Sequence, residues 1–425
     1  MGYIAVILKW ITSLNAAVFV GIVMAVVCLA FRGGIKNAVR SGLLFSIGIT
    51  GINMVMNTCI STVTPVATVI SERLGTNLSI VDGGYGAMAA RWSFPGYFIA
   101  LTLAIGINVV MILLKWTKTM FTDIHNSWHG IFIGALVWAI TDNILFGIIV
   151  GLFMVVLGVK LGDLHAKKFQ EFNGTPGIAC YATSATFPGT FAWLIMKVID
   201  KIPGLRSARA SAEDIKDTFG LFGEPMVIGF IIGVILAAIA RYPIDKMLLV
   251  GVTMAATLAL FPKMAGLICE GIVPVTTTIM TFMKKHFGDR ELNIAVDPAI
   301  LLGDPSVMAT FIIMVPISII ISFVVPGIGF IPIASLSAMP YWLGGVVPHT
   351  RGNVIHSVIV MTLFIGIAGV IATQLAPSIT RLNFIGGYYA EQISAGAMLT
   401  CWDEGSNIFG LIFVKLFEAL GLSVI

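Results

Sequence analysis

Apolar runs of about 20 residues recur along the chain, and this pattern constrains the fold more than any other feature. A run of that length, coiled at about 1.5 Å per residue, crosses the roughly 30 Å hydrocarbon core of a bilayer. Residues 41–70 contain no charged side chain, and residues 1–30 contain a single lysine, Lys9. Further spans are expected over 95–114, 130–159, 175–198, 227–240, 247–268, 307–325, 328–347, 354–375 and 408–420. Together these give about eleven crossings. Only 11% of the 425 residues are charged and 58% are hydrophobic. Soluble domains carry about 25% charged residues, so an ordinary soluble enzyme is excluded. The fold class is an all-α polytopic membrane protein.

The first span lacks a basic leader and a small-residue cleavage site, so no cleaved signal peptide is expected. The five cysteines, Cys28, Cys59, Cys180, Cys269 and Cys401, show no CxxC spacing and read as packing residues rather than metal ligands or a disulfide framework. A net charge of +4 reads as loop bias, not as a nucleic-acid surface. Arg32, Lys36 and Arg40 follow the first span without an acid. The positive-inside rule puts that loop in the cytoplasm and the N-terminus outside.

The chain echoes itself after about half its length. Residues 13–22 (SLNAAVFVGI) are matched by 222–231 (FGEPMVIGFI). Each is followed by an apolar run, a basic turn (Arg32 and Lys36; Arg241 and Lys246) and a second span. Each half then places a Val-Asp pair before a break: Val81-Asp82-Gly83-Gly84 and Val296-Asp297-Pro298-Ala299. Each later carries a polar cluster, Asp123, His125 and His129 in one half and His349, Arg351 and Asn353 in the other. About five spans per half would set the two copies upside down to one another, an architecture in which transporters hold substrate near the midplane between broken helices. The expected organisation is a first repeat over 1–200, a polar amphipathic linker over 201–223, a second repeat over 224–380 and a C-terminal re-entrant segment with a last helix over 381–425. No stretch has room for a separate soluble domain.

A charge at the bilayer centre costs about 3 kcal/mol on insertion scales and therefore faces a cavity or a partner. Asp82 and Asp297 sit where glycine or proline breaks the chain, and broken backbone is tolerated only when buried or lining a polar cavity. Carboxylates there accept hydrogen bonds from hydroxyls. The plainer reading makes each aspartate a helix cap. Glu224, before Pro225, suits a first helical turn. His129 and His349 read either as interfacial anchors or as ligands. Asp142 with Asn143, Asp304, and Asp403 with Glu404 are further acids in apolar surroundings, and Thr183 and Ser184 are helix hydroxyls. The chain has no GxxxxGK[ST] loop, dinucleotide fingerprint or HExxH. No cofactor and no metal are expected, and ATP-driven transport within this chain is disfavoured.

These residues resemble the galactitol-type IIC subunits of the bacterial phosphotransferase system, within the group that includes the ascorbate IIC transporters. The resemblance rests on Phe219-Gly220-Leu221-Phe222-Gly223-Glu224-Pro225 and on Asp297-Pro298-Ala299-Ile300-Leu301-Leu302-Gly303. Supporting matches are Leu161-Gly162-Asp163, Lys201-Ile202-Pro203-Gly204, Ser211-Ala212-Glu213-Asp214-Ile215 and Arg351-Gly352-Asn353. It implies a homodimer in the bacterial inner membrane, with a scaffold domain and a moving core domain in each protomer. Separate IIA and IIB proteins would phosphorylate a sugar or polyol from a phosphocysteine on IIB, while this chain binds and presents the substrate without itself catalysing the transfer. Asp82, His129, Asp297 and His349 would line the core site, with Thr183, Ser184 and Arg351 as secondary candidates. The sequence departs from the family where Tyr85-Gly86 replaces Trp-Pro, Tyr181-Ala182 replaces His-Gly, and Asp304 replaces His. These changes leave the sugar open. The alternative is an ion-coupled secondary transporter that uses the intramembrane aspartates.

Overall fold

The computed structural model describes residues 16–74, 80–121, 125–211, 224–287 and 292–424. The fold is predominantly helical, 77%. In the first half, α1 (Ala16–Ala30) turns into α2 (Ile35–Leu74), and β1 (Ile80–Asp82) leads to the short α3 (Gly84–Met88), a 3-10 turn (Ala89–Ser93) and α4 (Tyr97–Leu113). β2 (Thr119–Met120) and a 3-10 turn (His125–Ser127) precede α5 (Trp128–Thr141) and α6 (Ile144–Asn173). Then come β3 (Ile178–Cys180), α7 (Thr183–Ile199) and the short α8 (Pro203–Ser207).

A comparable order follows in the second half. α9 (Pro225–Ile239) and α10 (Ile244–Phe287) lead to β4 (Asn293–Val296), a 3-10 turn (Pro298–Leu301) and α11 (Pro305–Val324). Another 3-10 turn (Ala334–Ala338) opens α12 (Met339–Thr350), followed by α13 (Val354–Gly386), α14 (Ala390–Ser394) and β5 (Met398–Thr400). A last 3-10 turn (Asp403–Ser406) ends at α15 (Ile408–Ala419).

The turns explain where the sequence-predicted spans break. Residues 130–159 read as one apolar run, yet Asp142 adopts φ 51 and closes α5. The Asn143 side chain then accepts from Leu145 N at 2.9 Å and Phe146 N at 3.2 Å to start α6. Aspartate tolerates the left-handed region and asparagine is a strong N-cap, so this pair ends one helix and begins the next inside apolar sequence. The turn between α12 and α13 works the same way, with Arg351 at φ 56 and Asn353 capping Ile355 N at 3.1 Å. The runs over 175–198 and 328–347 are likewise part strand or turn and part helix. The amphipathic linker expected over 201–223 is described as far as residue 211, with α8 inside it; the rest lies outside the described residues.

Among the described residues, α6, α11 and α13 each meet the length and apolarity of a membrane span, and the pair Gly84–Ser93 and Tyr97–Leu113 does so together across a 91° bend. Ile149, Phe153, Leu363 and Ile367 are about half exposed, apolar side chains that need hydrocarbon rather than water around them. α5 is the opposite case: nearly every residue of it is buried. A helix apolar on all sides belongs in the middle of the molecule.

The all-α expectation misses a feature that matters for the site. Among the described residues, five short strands form two parallel ladders. β1 pairs with β5 in the register Ile80↔Met398 to Asp82↔Thr400. β4 pairs with β2 and with β3, the latter from Ile178↔Ile294 to Cys180↔Val296. The first strand of each half thus pairs with the last strand of the other. Where helices stop inside an apolar interior, the freed backbone groups require partners, and these ladders supply them.

Candidate substrate site

An aspartate stands at the end of β1 and another directly after β4, and each anchors the chain as it turns away. Asp82 accepts from Gly84 N at 3.0 Å, from Ser335 N at 2.8 Å and from Ser335 Oγ at 2.5 Å. Asp297 accepts from Ala299 N at 2.6 Å and from Asn126 Nδ2 at 2.6 Å. Each carboxylate therefore caps its own turn and holds a 3-10 turn of the opposite half. The second glycine after Asp82 is required: Gly84 has φ +49, and a Cβ there would lie 2.8 Å from the Ala334 Cβ.

These anchored turns enclose a cavity between the halves. Its polar wall contains Asn126, His129, Ser184, Asp297, Ser335 and Asp403, and its aromatic wall contains Tyr85, Trp128, Tyr341 and Trp402. A hydrogen-bond relay crosses the polar wall. Asn126 must turn its amide nitrogen to the Asp297 carboxylate, so its oxygen faces His129 Nε2 at 3.1 Å. That requires a hydrogen on Nε2. Nδ1 then meets Glu404 Oε1 at 3.1 Å and Asp403 Oδ1 at 3.7 Å. An imidazole lone pair cannot face a carboxylate oxygen at that distance without a proton between them, so His129 and Glu404 share one. Thr183 donates its hydroxyl to Glu404 Oε1, and Asn407 Nδ2 donates to Oε2 at 2.5 Å.

The aromatic wall is tied to the relay. Trp128 stacks on His129 with ring centroids 3.8 Å apart. The buried guanidinium of Arg91 sits 4.4 Å from the Trp128 ring centre on a cation–π contact. Arg91 also donates to Met88 O at 2.8 Å. Trp402 packs against Trp342, centroids 5.1 Å apart.

The sequence-predicted residues divide into three groups. His129, Ser184 and Asp297 line the cavity, with Ser184 Oγ 3.4 Å from His129 Nε2. Asp82 and Thr183 stand behind its wall, acting through Ser335 and Glu404. His349 and Arg351 are elsewhere. His349 meets His165 edge-on, centroids 4.8 Å apart, in a separate small pocket with Thr186, and Arg351 is an exposed helix-ending residue. His129 lies in the first turn of α5 and His349 in the last turn of α12, so the two do not occupy comparable places. Sequence reasoning gave little weight to Asp403 and Glu404. Adjacent acids in apolar sequence were the available signal. Asn126, Ser335 and Trp402 carried none.

A model of the PTS system sugar-specific permease component family matches residues 10–391. The chain belongs to this family. The permease is 30% identical over 413 residues to the "PTS system galactitol-specific EIIC component" of Escherichia coli K12, covering 97% of this chain and 91% of the relative. It is also 30% identical over 421 residues to a "Putative permease IIC component" of the same organism, covering 98% and 94%. The permease is therefore a phosphotransferase translocating subunit of the inner membrane, and the family implies IIA and IIB partners.

Proposed function

We propose that the permease takes a galactitol-like polyol into the cavity between its halves and presents it there to IIB. The observation that carries this reading is the composition of the wall. Polar groups from both halves converge on one enclosed space, and Trp128, Trp402, Tyr85 and Tyr341 offer faces for the carbon chain. An apolar pocket with a few placed polar groups is how proteins hold small ligands, and a polyol needs both kinds of surface. His129, Ser184, Asp297 and Asp403 contact the substrate on this reading, with Asp82 and Thr183 supporting them.

The wider architecture is part of the proposal. Two inverted repeats of about five spans each, divided near 200 and 224, make about eleven crossings in each protomer of a homodimer. A core containing the cavity moves against a scaffold to expose the substrate to either side. The matching order of elements and the crossed strand pairs support the repeat.

Uptake of radiolabelled galactitol and a panel of other polyols and sugars into vesicles tests the function, with and without IIA, IIB and phosphoenolpyruvate-driven phosphorylation. We expect internal galactitol phosphate only when those partners are present. Free galactitol accumulating on a proton or sodium gradient alone would overturn the reading.

A further inference from the structure

Two adjacent residues of the cavity wall each carry a buried polar atom with no hydrogen-bond partner among the described residues. They are the indole Nε1 of Trp402 and Oδ1 of Asp403. Buried polar groups are nearly always paired, and these two have complementary needs, one a donor and one an acceptor. A hydroxyl satisfies both at once.

The other acids around the cavity have no such freedom. Both oxygens of Asp297 accept hydrogen bonds, from Ala299 and Asn126. Both oxygens of Asp82 accept, from Gly84 and Ser335. Both oxygens of Glu404 are bonded, to Thr183 and His129 on one side and Asn407 on the other. Asp403 is different: its side chain is only 8% exposed, and Oδ1 lies 3.7 Å from the His129 Nδ1 that shares a proton with Glu404. Its backbone adopts φ 58, the left-handed region that favours glycine. Aspartate tolerates that region, so the distinguishing feature is the unspent oxygen, a buried acceptor left for a ligand to satisfy.

We propose that Asp403 is the general base for phosphorylation of the bound polyol. This rests on the reading of the cavity as the polyol site. The substrate hydroxyl oxygen attacks the phosphorus of a phosphothiolate on the partner protein. The S–P bond breaks, its electron pair leaving on sulfur, and the hydroxyl proton passes to Asp403 Oδ1. Trp402 Nε1–H donates to the same hydroxyl oxygen and orients it. The proton that His129 and Glu404 share is committed between them, so at 3.7 Å it leaves Asp403 Oδ1 free to take the substrate's.

The test uses the full chain in proteoliposomes, with the phosphotransferase proteins and phosphoenolpyruvate. It reads galactitol phosphate formed at saturating galactitol and, separately, galactitol binding by equilibrium dialysis. Asp403→Asn keeps the shape of the side chain. Asp403→Gly suits φ 58 and is expected to fold with an unchanged or higher Tm. Both variants should bind galactitol about tenfold more weakly, the loss of one hydrogen bond to a carboxylate, while phosphorylation at saturating galactitol falls about 100-fold or more, the range of general-base contributions. Added formate should restore part of the rate to Asp403→Gly.

Phosphorylation within about threefold of wild type in either variant overturns the assignment, as does a folded Asp403→Gly chain whose whole defect is lost binding. A wild-type chain that makes no galactitol phosphate overturns the polyol reading and the base assignment together. The wild-type arm thus separates the two failures.

Discussion

At the scale of single residues, the site is governed by which carboxylates are already spent. Asp297 stands out in the sequence because it precedes a proline in apolar surroundings, and the structure shows both its oxygens engaged. Asp297→Asn would set an amide NH2 against either Ala299 N–H or the Asn126 amide, donor against donor. A hydrogen bond to a buried charge contributes about 1.5–3 kcal/mol. If Asn126 turns over in response, its nitrogen faces the hydrogen on His129 Nε2 and the relay breaks. We expect a lower Tm and galactitol binding weakened about 10–100-fold, about 1.4 kcal/mol per factor of ten. Thermal unfolding and binding of the purified variant check this; unchanged affinity would remove Asp297 from the site. The local roles of Asp82 and Asp297 were legible because a Val-Asp pair before a chain break is a nearest-neighbour signal. Their second partners were not legible. Ser335 is 253 residues from Asp82 and Asn126 is 171 from Asp297, and no periodicity encodes such pairings. The location of His349 beside His165 was not legible for a related reason. Polar residues beside a span look alike at either end of a helix, and only the turn geometry shows that Arg351-Gly352-Asn353 corresponds to Asp142-Asn143.

At the scale of elements, the backbone approach of α7 to α12 sets the width of the site's support. A Cβ on Gly345 would fall 1.8 Å from Ala185 O, and one on Gly189 would fall 3.0 Å from Gly345 O. Ser184, one residue before Ala185, lines the cavity, so parting these helices moves the wall itself. Gly345→Ala forces that separation because the obstacle is backbone, not the end of a flexible side chain. Overpacking of this kind costs about 1–3 kcal/mol. We expect a reduced Tm together with weaker galactitol binding, whereas Gly266→Ala, where a Cβ would meet nothing within 4 Å, should leave both unchanged. Equal behaviour of the two variants would refute the contact. Sequence patterning located most of these helices but not their ends. Hydropathy alone cannot separate a continuous span from two helices joined at Asp142, since one capped turn interrupts the apolar run without changing its composition.

At the scale of the whole molecule, neither half completes its own backbone pairing. β1 needs β5 and β4 needs β3, so a fragment containing residues 1–211 keeps an open strand edge and an Asp82 without Ser335. Expressed alone in membranes, that fragment should be degraded. Co-expressed with a fragment starting at residue 212, it should accumulate and be recovered with it, because the crossed ladders join the two without a covalent link. Stable accumulation of the first fragment alone would contradict this. The same crossing sets a schedule for biosynthesis. More than 300 residues separate Ile80 from its partner Met398, and chains emerge at about 5–20 residues per second. The first strand therefore waits roughly 15–60 s for its mate, and the cavity can close only when the last tenth of the polypeptide has been inserted.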